Sequence, residues 1–398
     1  MAEAYWNESL ALLVQGDMAR GWPLYERGLE CGQRASVRSF TQPAWRGETS
    51  VQSKTVLLYA EQGLGDTLQF CRYAALVKAL GARVVLEVQA PLVGVMAGLA
   101  GVDEVVALGQ PLPAFDVHCP LLSLPLAFHT TVDTVPQPGP YLQAEPARVQ
   151  AWQTRLGPRQ GLRVGLVWSG NPGHKNDHHR SVPLETLLAH LPPGPTYISL
   201  QKEVREEDLP ALTASGMQHH GELLNDFADT AALCMQVDVV VSVDTSVAHL
   251  AAALGKPTWV LLPFAPDWRW LLDRDDSPWY AGMRLFRQDA DGAWPTVLSR
   301  VAHALNAMTP QALPQAATSE QPAAQAIVDP QTLFSQGIAL HKAGRLDEAA
   351  EFYQRVLVLA PRHFDALHML GVIAHQQGRN AEAVPLISQA LEIRSDVA

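Results

Sequence analysis

Two turns in the sequence carry residues that could act together on a phosphate-bearing ligand. The first lies between Val237 and Pro257, where a β-branched run too short for a helix leads through Asp244-Thr245-Ser246 into small residues. This pattern predicts a buried parallel strand, an N-cap turn and a helix that packs closely on the sheet. The N–H groups and the positive dipole end of such a helix favour an anion. We therefore expect a geometry that binds a diphosphate at this turn.

The second turn also joins a predicted strand to a predicted helix, and it reads Tyr59-Ala60-Glu61-Gln62-Gly63-Leu64-Gly65-Asp66-Thr67. Gly63 and Gly65 let a ligand approach the main chain. Asp66 lies at or near the start of the helix, where a carboxylate can cap the first turn. An acid beside a glycine-lined cleft can also accept a proton from a substrate hydroxyl. On the local sequence alone, capping is the simpler interpretation.

A dinucleotide site is an alternative interpretation of the second turn. Gly63 and Gly65 lie between a strand and a helix, and Glu87 ends the next predicted strand, as the nicotinamide-binding fingerprint requires. Leu68 stands where that fingerprint has its third glycine. The dinucleotide interpretation also leaves the Asp244–His249 turn without a role.

Composition indicates a globular protein of two or three units. The chain has 398 residues, of which 47% are hydrophobic and 17% are charged, and its net charge is -11. These are ordinary values for a folded protein with a sizeable core. The negative charge argues against a nucleic-acid-binding surface, which needs clustered Lys and Arg. Because neither a signal sequence nor a membrane-spanning apolar stretch is recognised, we expect a cytoplasmic protein without a membrane span.

Neither the cysteines nor the histidines predict a metal site. The four cysteines are Cys31, Cys71, Cys119 and Cys234. They are far apart and form no C-x-x-C pair, so we expect buried, reduced side chains. His174, His178 and His179 lie in a polar loop without a matching carboxylate scaffold, and we expect them to face solvent or a phosphate. No metal and no other cofactor is predicted.

The C-terminal part contains an internal repeat. Identical residues recur 34 positions apart, which is the period of a tetratricopeptide helix pair, for example Leu333/Leu367, Gly337/Gly371, His341/His375 and Ala349/Ala383. The N-terminal residues Gly16, Tyr25, Arg27 and Leu29 stand in the same phase. We interpret residues 1–34 as a tetratricopeptide-like helix pair that caps the core, with binding of a partner as the alternative. Residues 329–398 are interpreted as two repeats that bind a protein partner, because stacked repeats present a concave surface.

The region between the repeats alternates short apolar strands with helices, as expected of two successive parallel α/β halves. We assign these halves to residues 51–150 and 151–308, with a hinge at residues 134–141 and the ligand in the cleft between them. The predicted strands are Thr55–Ala60, Arg83–Val88, Val164–Trp168, Thr196–Leu200, Val237–Val243 and Thr258–Leu262. The predicted helices are Thr67–Leu80, Leu184–His190, Ala228–Met235 and Ser246–Leu254, with a further helix around Trp152. Residues 309–328, rich in Ala, Gln, Pro and Ser, are predicted to form a flexible linker.

This combination resembles the two-domain GT-B glycosyltransferases, in particular the heptosyltransferase-like enzymes of family 9. The matching segments are Gly63–Thr67, Val164–Gly170 and Asp244–Ala251. The whole arrangement is similar to bacterial tetratricopeptide-repeat proteins that carry a family 9-like domain. The resemblance implies an α/β fold with a GT-B-like pair of Rossmann-type domains, flanked by all-α tetratricopeptide repeats. It also implies transfer of a sugar from a nucleotide-sugar donor without a metal.

Carried over by position, the resemblance implies that Asp66 is the catalytic base. It also implies that the amides and hydroxyls around Thr245, Ser246 and His249 hold the donor diphosphate. To these we add further residues of the two turns, of the strand ends and of the segment that follows Ser169. The residues of this predicted donor site are Gly63, Gly65, Ser169, Arg180, Gln201, Lys202, Asp244, Thr245, Ser246, Val247 and His249. Gln201 and Lys202 belong to it because they directly follow a predicted strand.

The sequence also departs from the heptosyltransferase pattern. Those enzymes place a lysine before a Trp-Pro pair, whereas the corresponding segment here runs from Asn176 to Pro183 and contains Arg180. An arginine would supply a bidentate positive charge to a phosphate. Trp268 and Arg269 follow the strand that ends at Leu262. They either stack on a sugar or a base, or anchor a loop to the core.

We therefore expect a glycosyltransferase that deprotonates a hydroxyl of a protein or glycan acceptor while the leaving diphosphate is stabilised by positive groups. Two other classes of function fit the same features, because a fold alone does not decide a function. One is a nucleotide-sugar epimerase or hydrolase. The other is a non-catalytic adaptor, in which the repeats recruit proteins and the cleft senses a nucleotide sugar.

Overall fold

The computed structural model describes residues 1–34, 38–137, 139–174, 176–308, 330–342, 345–360, 363–376 and 379–395. The chain divides into two compact units, Met1–Gln311 and Ala312–Ala398. The predicted linker at residues 309–328 lies outside the described residues.

The first half of the larger unit is a parallel sheet with helices. Its strands are β1 Thr55–Tyr59, β2 Arg83–Val88, β3 Glu104–Ala107 and β4 Val117–Pro120. Its helices are α1 Ala2–Val14, α2 Met18–Tyr25, α3 Leu64–Phe70, α4 Ala74–Ala79, α5 Val93–Met96 and α6 Leu124–Ala127. The strand order is β3-β2-β1-β4, and all described pairings are parallel.

The second half is a larger sheet of the same kind. Its strands are β5 Arg163–Val167, β6 Thr196–Ser199, β7 Gln218–His219, β8 Val239–Val243, β9 Thr258–Leu262, β10 Asp276–Ser277 and β11 Tyr280–Arg287. Its helices are α7 Pro146–Leu156, α8 Asp177–Arg180, α9 Leu184–Leu188, α10 Leu209–Ser215, α11 Phe227–Cys234, α12 Ser246–Ala253 and α13 Trp294–Asn306. The strand order is β10-β11-β9-β8-β5-β6-β7, with only the edge pair β10 and β11 antiparallel. The carboxyl ends of β5 and β8 therefore lie side by side.

The predicted strands are confirmed, while one predicted helix is divided. Thr67–Leu80 is in fact α3 and α4, joined by a 3-10 turn at Cys71–Tyr73. Helix α3 begins earlier than predicted, because Gly63 adopts an extended conformation and acts as the N-cap. Gly65 and Asp66 consequently lie within the first helical turn. The elements that were not predicted are strands β3, β4, β7, β10 and β11 and helices α5, α6, α8, α10 and α13.

The hydrophobic core is continuous through both halves. One cluster of buried side chains includes Val56 and Leu86 of the first sheet and Val167, Val240 and Val260 of the second. The segment predicted as a hinge is tied to the second half, because the backbone N–H groups of Tyr141 and Leu142 donate to Ala253 O at 3.0 and 3.2 Å. The two halves thus share a packed junction. Where these buried side chains meet, they fill the space of the predicted cleft.

The N-terminal helices belong to the same core. Trp6, Leu13, Met18, Trp22 and Tyr25 are all buried in the shared cluster. This burial agrees with the interpretation that α1 and α2 cap the core. The cysteines are free thiols; three are buried and Cys31 is half-buried, so its prediction as a buried residue was wrong.

The smaller unit is helical and consists of α14 Pro330–Lys342, α15 Leu346–Leu359, α16 Phe364–Gln376 and α17 Asn380–Ser395. A Cβ atom at Gly337 would lie 2.5 Å from Tyr353 Cε1, and one at Gly371 would lie 2.5 Å from Ile387 Cγ1. Glycine therefore stands where paired helices approach closely, as the repeat predicts. The predicted fold class, two Rossmann-type α/β halves with all-α repeats, is confirmed. None of the described helices combines the length and the apolar character that a membrane crossing needs.

Candidate functional site

The two turns identified in the sequence meet at the junction of the two sheets. Gly65, in the first turn of α3, faces the first turn of α12. A Cβ atom at Gly65 would lie 2.9 Å from His249 Cδ2 and 3.5 Å from Ser246 Cα. A larger residue at position 65 would push the two helices apart. The N-terminal ends of α3 and α12 thus form one candidate site.

Asp66 is both a helix cap and a member of an ion pair. Its Oδ2 accepts the Gly63 N–H at 2.8 Å, and its Oδ1 pairs with Arg269 Nη2. The side chain is 16% exposed. Burial raises the pKa of Asp66, the Arg269 charge opposes that shift, and the Asp267 carboxylate adds to it. The carboxylate predicted as a base therefore lies at the junction with a strengthened affinity for a proton.

Arg269 reaches from the second half of the unit to helix α3. Its Nε donates to Gln69 Oε1 at 2.8 Å, and its Nη1 donates to Asp267 Oδ1 at 2.7 Å. Together with the Asp66 pair, these contacts occupy each guanidinium nitrogen. Arg269 thus binds protein groups at this site, and its placement does not favour the predicted contact with a sugar or a base.

Trp268 anchors its loop to the core. Its ring is 5% exposed and lies edge to face with the rings of Trp22, at 5.3 Å, and Tyr25, at 5.8 Å between centroids. The ring of Phe70 in α3 also lies near it, at 6.4 Å between centroids. This packing favours loop anchoring over the alternative prediction that Trp268 stacks on a ligand.

The turn Asp244–His249, called the phosphate turn below, contains Thr245 as the N-cap of α12. The Thr245 side chain makes no capping hydrogen bond to the helix, because its hydroxyl lies 3.0 Å from Ser242 Oγ instead. The N–H groups of the first turn, at Ser246 and Val247, are therefore left to another acceptor. Both residues are only half-buried, so an anion can approach them.

Asp244 begins this turn and carries a perturbed carboxyl group. Burial raises the pKa of Asp244, and the neighbouring Asp267 raises it further. The charges of Arg269 and Arg180 act in the opposite direction. A protonated Asp244 would remove a negative charge from the place where a diphosphate is expected.

Arg180 lies beside the phosphate turn, where the sequence interpretation requires a positive charge. Its Nη1 donates to Asp244 O at 2.8 Å, and its Nε donates to Asp177 Oδ1 at 3.2 Å. A second arginine, Arg205, was not predicted. It pairs with Asp177 Oδ2 and donates to Gly170 O at 3.3 Å. The only sequence signal for it is a basic residue a few positions after the end of β6.

The remaining predicted donor-site residues differ in their placement. Gln201 joins the ends of β5 and β6, since its Nε2 donates to Ser169 O at 3.0 Å. The Ser169 hydroxyl is buried and has no hydrogen-bond partner among the described residues. Lys202 is exposed, and no described contact brings its side chain to the two turns. The structure thus assembles Ser169 and Gln201 at the sheet edge without Lys202.

His249 contributes packing to the site and no positive charge. Its Nδ1 lies 2.9 Å from the Tyr280 hydroxyl, and its ring stacks on Trp270 with centroids 5.4 Å apart. Burial holds the pKa of His249 well below 6.5, and the charges of Arg269 and Arg72 lower it further. The imidazole is therefore neutral at physiological pH.

The structure contradicts the dinucleotide alternative. Glu87, which would bind a ribose hydroxyl, is fully buried and pairs with Arg38.

The histidine loop brings the rings of His178 and His179 to 3.9 Å between centroids. Across the described residues, no group of three or more His, Cys, Asp or Glu side chains is arranged to hold a metal ion.

Two cavities lie away from the two turns. One, of about 640 Å³, is bordered by β11 and α13 and includes Arg284 and Arg300. The other, of about 250 Å³, lies beside α7 and includes Trp152 and Asn225. Neither contains a predicted site residue, so the helix ends at the junction remain the candidate site.

Comparison with known proteins finds two family matches. Residues 214–262 match glycosyltransferase family 9 (heptosyltransferase), and this segment contains the phosphate turn. Residues 334–398 match the tetratricopeptide repeat.

Among individual proteins, the chain is similar to protein FlbA of Caulobacter vibrioides, with 28% identity over 323 residues that cover 74% of this chain and 53% of FlbA. The chain thus spans about half the length of the curated relative that it matches. One similar solved structure is a family 9 glycosyl transferase from Veillonella parvula, with 9% identity and a TM-score of 0.48 over 67% of this chain and 93% of that chain. Another is ADP-heptose lps heptosyltransferase II of E. coli, with 15% identity and a TM-score of 0.44 over 64% of this chain and 98% of that chain. The chain is thus similar to glycosyltransferase family 9 within its larger unit and to the tetratricopeptide repeat near its C-terminal end.

Proposed function

We propose that the larger unit transfers a sugar from a nucleotide-sugar donor to a hydroxyl of an acceptor. The observation that carries this proposal is the meeting of α3 and α12, with Asp66 on one helix end and the uncapped first turn of the other beside it. An acid next to an anion-binding helix end suits the deprotonation of an acceptor while a diphosphate leaves. The family 9 match, which includes the phosphate turn, supports the same reaction.

Asp66 would accept the proton of the acceptor hydroxyl. Burial raises its pKa and so strengthens it as a base, while Arg269 keeps it ionised. When the acceptor binds, either the Arg269–Asp66 ion pair loosens, or the acceptor hydroxyl donates to the second lone pair of Asp66 Oδ1. The neutral His249 would shape the wall of the site.

The donor diphosphate would bind at the first turn of α12. The Ser246 and Val247 N–H groups, the helix dipole and the Arg180 guanidinium would supply its positive environment. Gln201 and the unpartnered Ser169 hydroxyl lie at the neighbouring strand ends and would contact the rest of the donor. Because protein groups supply this charge, we propose a reaction that needs no metal ion.

The smaller unit would recruit the acceptor or another protein. Its helix pairs match a repeat that commonly presents a concave binding surface. The acceptor would be a protein or a glycan, and the free cysteines suit a reducing, cytoplasmic location.

The proposal is tested by incubating the purified chain with a panel of nucleotide sugars, with chelator present and absent, and with protein and glycan acceptors. Mass spectrometry then distinguishes a glycosylated acceptor from free sugar and from an epimerised donor. We expect a glycosylated acceptor at the same rate in chelator. Free sugar or an epimer alone would assign a hydrolase or an epimerase, and an absolute need for Mg²⁺ or Mn²⁺ would contradict the metal-free reaction.

A non-catalytic nucleotide-sugar sensor is the second candidate. The observation that favours it is that both oxygens of Asp66 already have protein partners, Gly63 and Arg269. A sensor would bind a nucleotide sugar in calorimetry and give no product with any acceptor.

A further inference from the structure

The N-terminal helix α2 packs against the loop of Trp268 and Arg269, and this loop contacts Asp66. Trp22 and Tyr25 of α2 both pack against Trp268, with ring centroids at 5.3 and 5.8 Å. The Arg269 guanidinium carbon lies 4.4 Å from the centroid of the Trp268 ring. Arg269 in turn pairs with Asp66. A continuous series of contacts therefore runs from α2 to the proposed base.

The same N-terminal segment also contacts the start of the turn Tyr59–Thr67, called the glycine turn below. Arg34 is fully buried, and its Nε donates to Glu61 Oε1 at 2.8 Å. Its Nη1 donates to Glu26 Oε1 at 2.6 Å. Glu61 lies in this turn, between the end of β1 and Gly63. The N-terminal segment thus contacts both the turn that leads to Asp66 and the loop that supplies its partner.

Two further contacts fix α2 in this position. The Trp22 indole N–H donates to Thr130 O at 2.8 Å. The Arg34 guanidinium carbon lies 5.1 Å from the centroid of the Tyr25 ring. The edge-to-face contacts of Trp22 and Tyr25 with Trp268 are directional as well as apolar. They therefore define the position of the Trp268 ring and not merely its burial.

We propose that Trp22 and Tyr25 are positioning residues for Asp66, acting through Trp268 and Arg269. The proposal rests on the proposed function insofar as Asp66 is the base. It assigns the N-terminal helices a part in the chemical site, beyond covering the core. Removing an aromatic ring from α2 should let the Trp268 loop shift and weaken the Arg269 contact with Asp66.

The consequence is electrostatic and has a defined sign. The Asp66 carboxyl interacts with Arg269 and with the Gly63 N–H, which lower its pKa, with Asp267, which raises it, and with the Tyr25 phenol, whose own pKa burial raises. Arg269 is the sole cation among them. A looser Arg269 contact should therefore raise the pKa of Asp66, and the acid limb of any transfer reaction should move to higher pH.

The test is an NMR titration of the Asp66 side-chain carboxyl carbon in the full chain, without donor. The signal is assigned by its loss in Asp66→Asn, and Arg269→Gln serves as the reference for a lost charge. We expect Tyr25→Leu to raise the titration midpoint by about half a pH unit or more, roughly a threefold change in proton affinity. Tyr25→Phe, which keeps the ring, should titrate like the wild type.

A matched control separates positioning from general loosening. Leu13 of α1 is fully buried against α2, where a Cβ atom at Gly21 would lie 2.6 Å from Leu13 Cδ2. Leu13→Ala should destabilise the helix pair and leave the Asp66 midpoint unchanged. Trp22→Phe is the second variant if Tyr25→Leu does not fold, and it should give a smaller shift in the same direction.

An unchanged Asp66 midpoint in Tyr25→Leu, or in Trp22→Phe if that variant replaces it, would overturn the proposal. A shift of equal size in Leu13→Ala or in Tyr25→Phe would overturn it as well. The titration needs no substrate. It therefore decides the positioning role even if no donor is ever turned over, and a missing transfer activity would count only against the proposed function.

Discussion

Gly65 and His249 touch across the junction of the two sheets, and only glycine fits between them. A Cβ atom at position 65 would lie 2.9 Å from His249 Cδ2. This contact brings the glycine turn and the phosphate turn together. Taken separately, each turn is explained by capping of the helix that follows it, and only their meeting suggests a common site.

Gly65→Ala should lower the free energy of unfolding by about 1–3 kcal/mol, the usual effect of overpacking a tight contact. Chemical denaturation measures this change. Gly98→Ala is the control, because a Cβ atom there meets nothing within 4 Å. Equal effects of the two substitutions would contradict the tight approach of α3 to α12.

Asp66→Asn separates the capping role from the base. The amide oxygen can still accept the Gly63 N–H, but it cannot take a proton, so sugar transfer should fall roughly 100-fold or more. Loss of the charged partner of Arg269 should also cost about 1–3 kcal/mol of stability. Transfer rates are therefore compared at equal folded fraction and with nucleotide affinity measured in parallel. Transfer at the wild-type rate would leave Asp66 as a cap.

Arg180→Ala should weaken the binding of a nucleotide diphosphate in the presence of chelator. The loss of a charged hydrogen bond corresponds to roughly 1.5–3 kcal/mol, which calorimetry resolves. Arg20→Ala removes an arginine side chain that is 68% exposed on α2, and its affinity should match the wild type. If Arg180→Ala binds as tightly as that control, Arg180 has no part in the donor site.

His249 should make the protein less stable in mild acid. Its folded pKa lies well below the value of 6.5 expected in the unfolded chain, so only the unfolded chain binds a proton as the pH falls below about 6.5. Its contribution to stability is complete above this pH and is lost progressively below it, at up to about 1.36 kcal/mol per pH unit.

His249→Gln should remove this dependence. Unfolding free energies of both proteins are measured by chemical denaturation at several values between pH 7 and pH 5, and only the difference in slope is interpreted, because the other histidines are common to both. Parallel slopes would show that His249 titrates in the folded protein as it does in the unfolded chain.

Deletion of residues 329–398 should leave the larger unit folded with its nucleotide affinity intact. The two compact units each have their own buried cluster, which supports independent folding. Melting temperature, nucleotide binding and capture of a protein acceptor are compared in the truncated and full chains, and only the last should weaken. Aggregation or lost nucleotide binding would show that the repeats are required by the core.

The sequence by itself determined the six predicted strands, the repeat helices and the two turns. Local patterns suffice there: the β-branched run before Asp244 predicts β8, the glycines before Asp66 predict a turn, and the spacing of 34 between repeated residues predicts the helix pairs. The strands left unpredicted are of two kinds. β3, β4, β7 and β10 are short, and β11 has exposed residues along its length, so their local signal is weak.

Only the tertiary structure decided which side chains meet. Arg269 lies 203 residues from Asp66, and no local periodicity relates two positions so far apart. Likewise, Trp268 is buried against Trp22 because the N-terminal helices fold back onto the junction, and Arg205 joins Asp177 because two strand ends are adjacent in the sheet. The physical reason is that local conformation follows from neighbouring residues, whereas the partners of a buried charge or ring follow from how the sheets and helices pack.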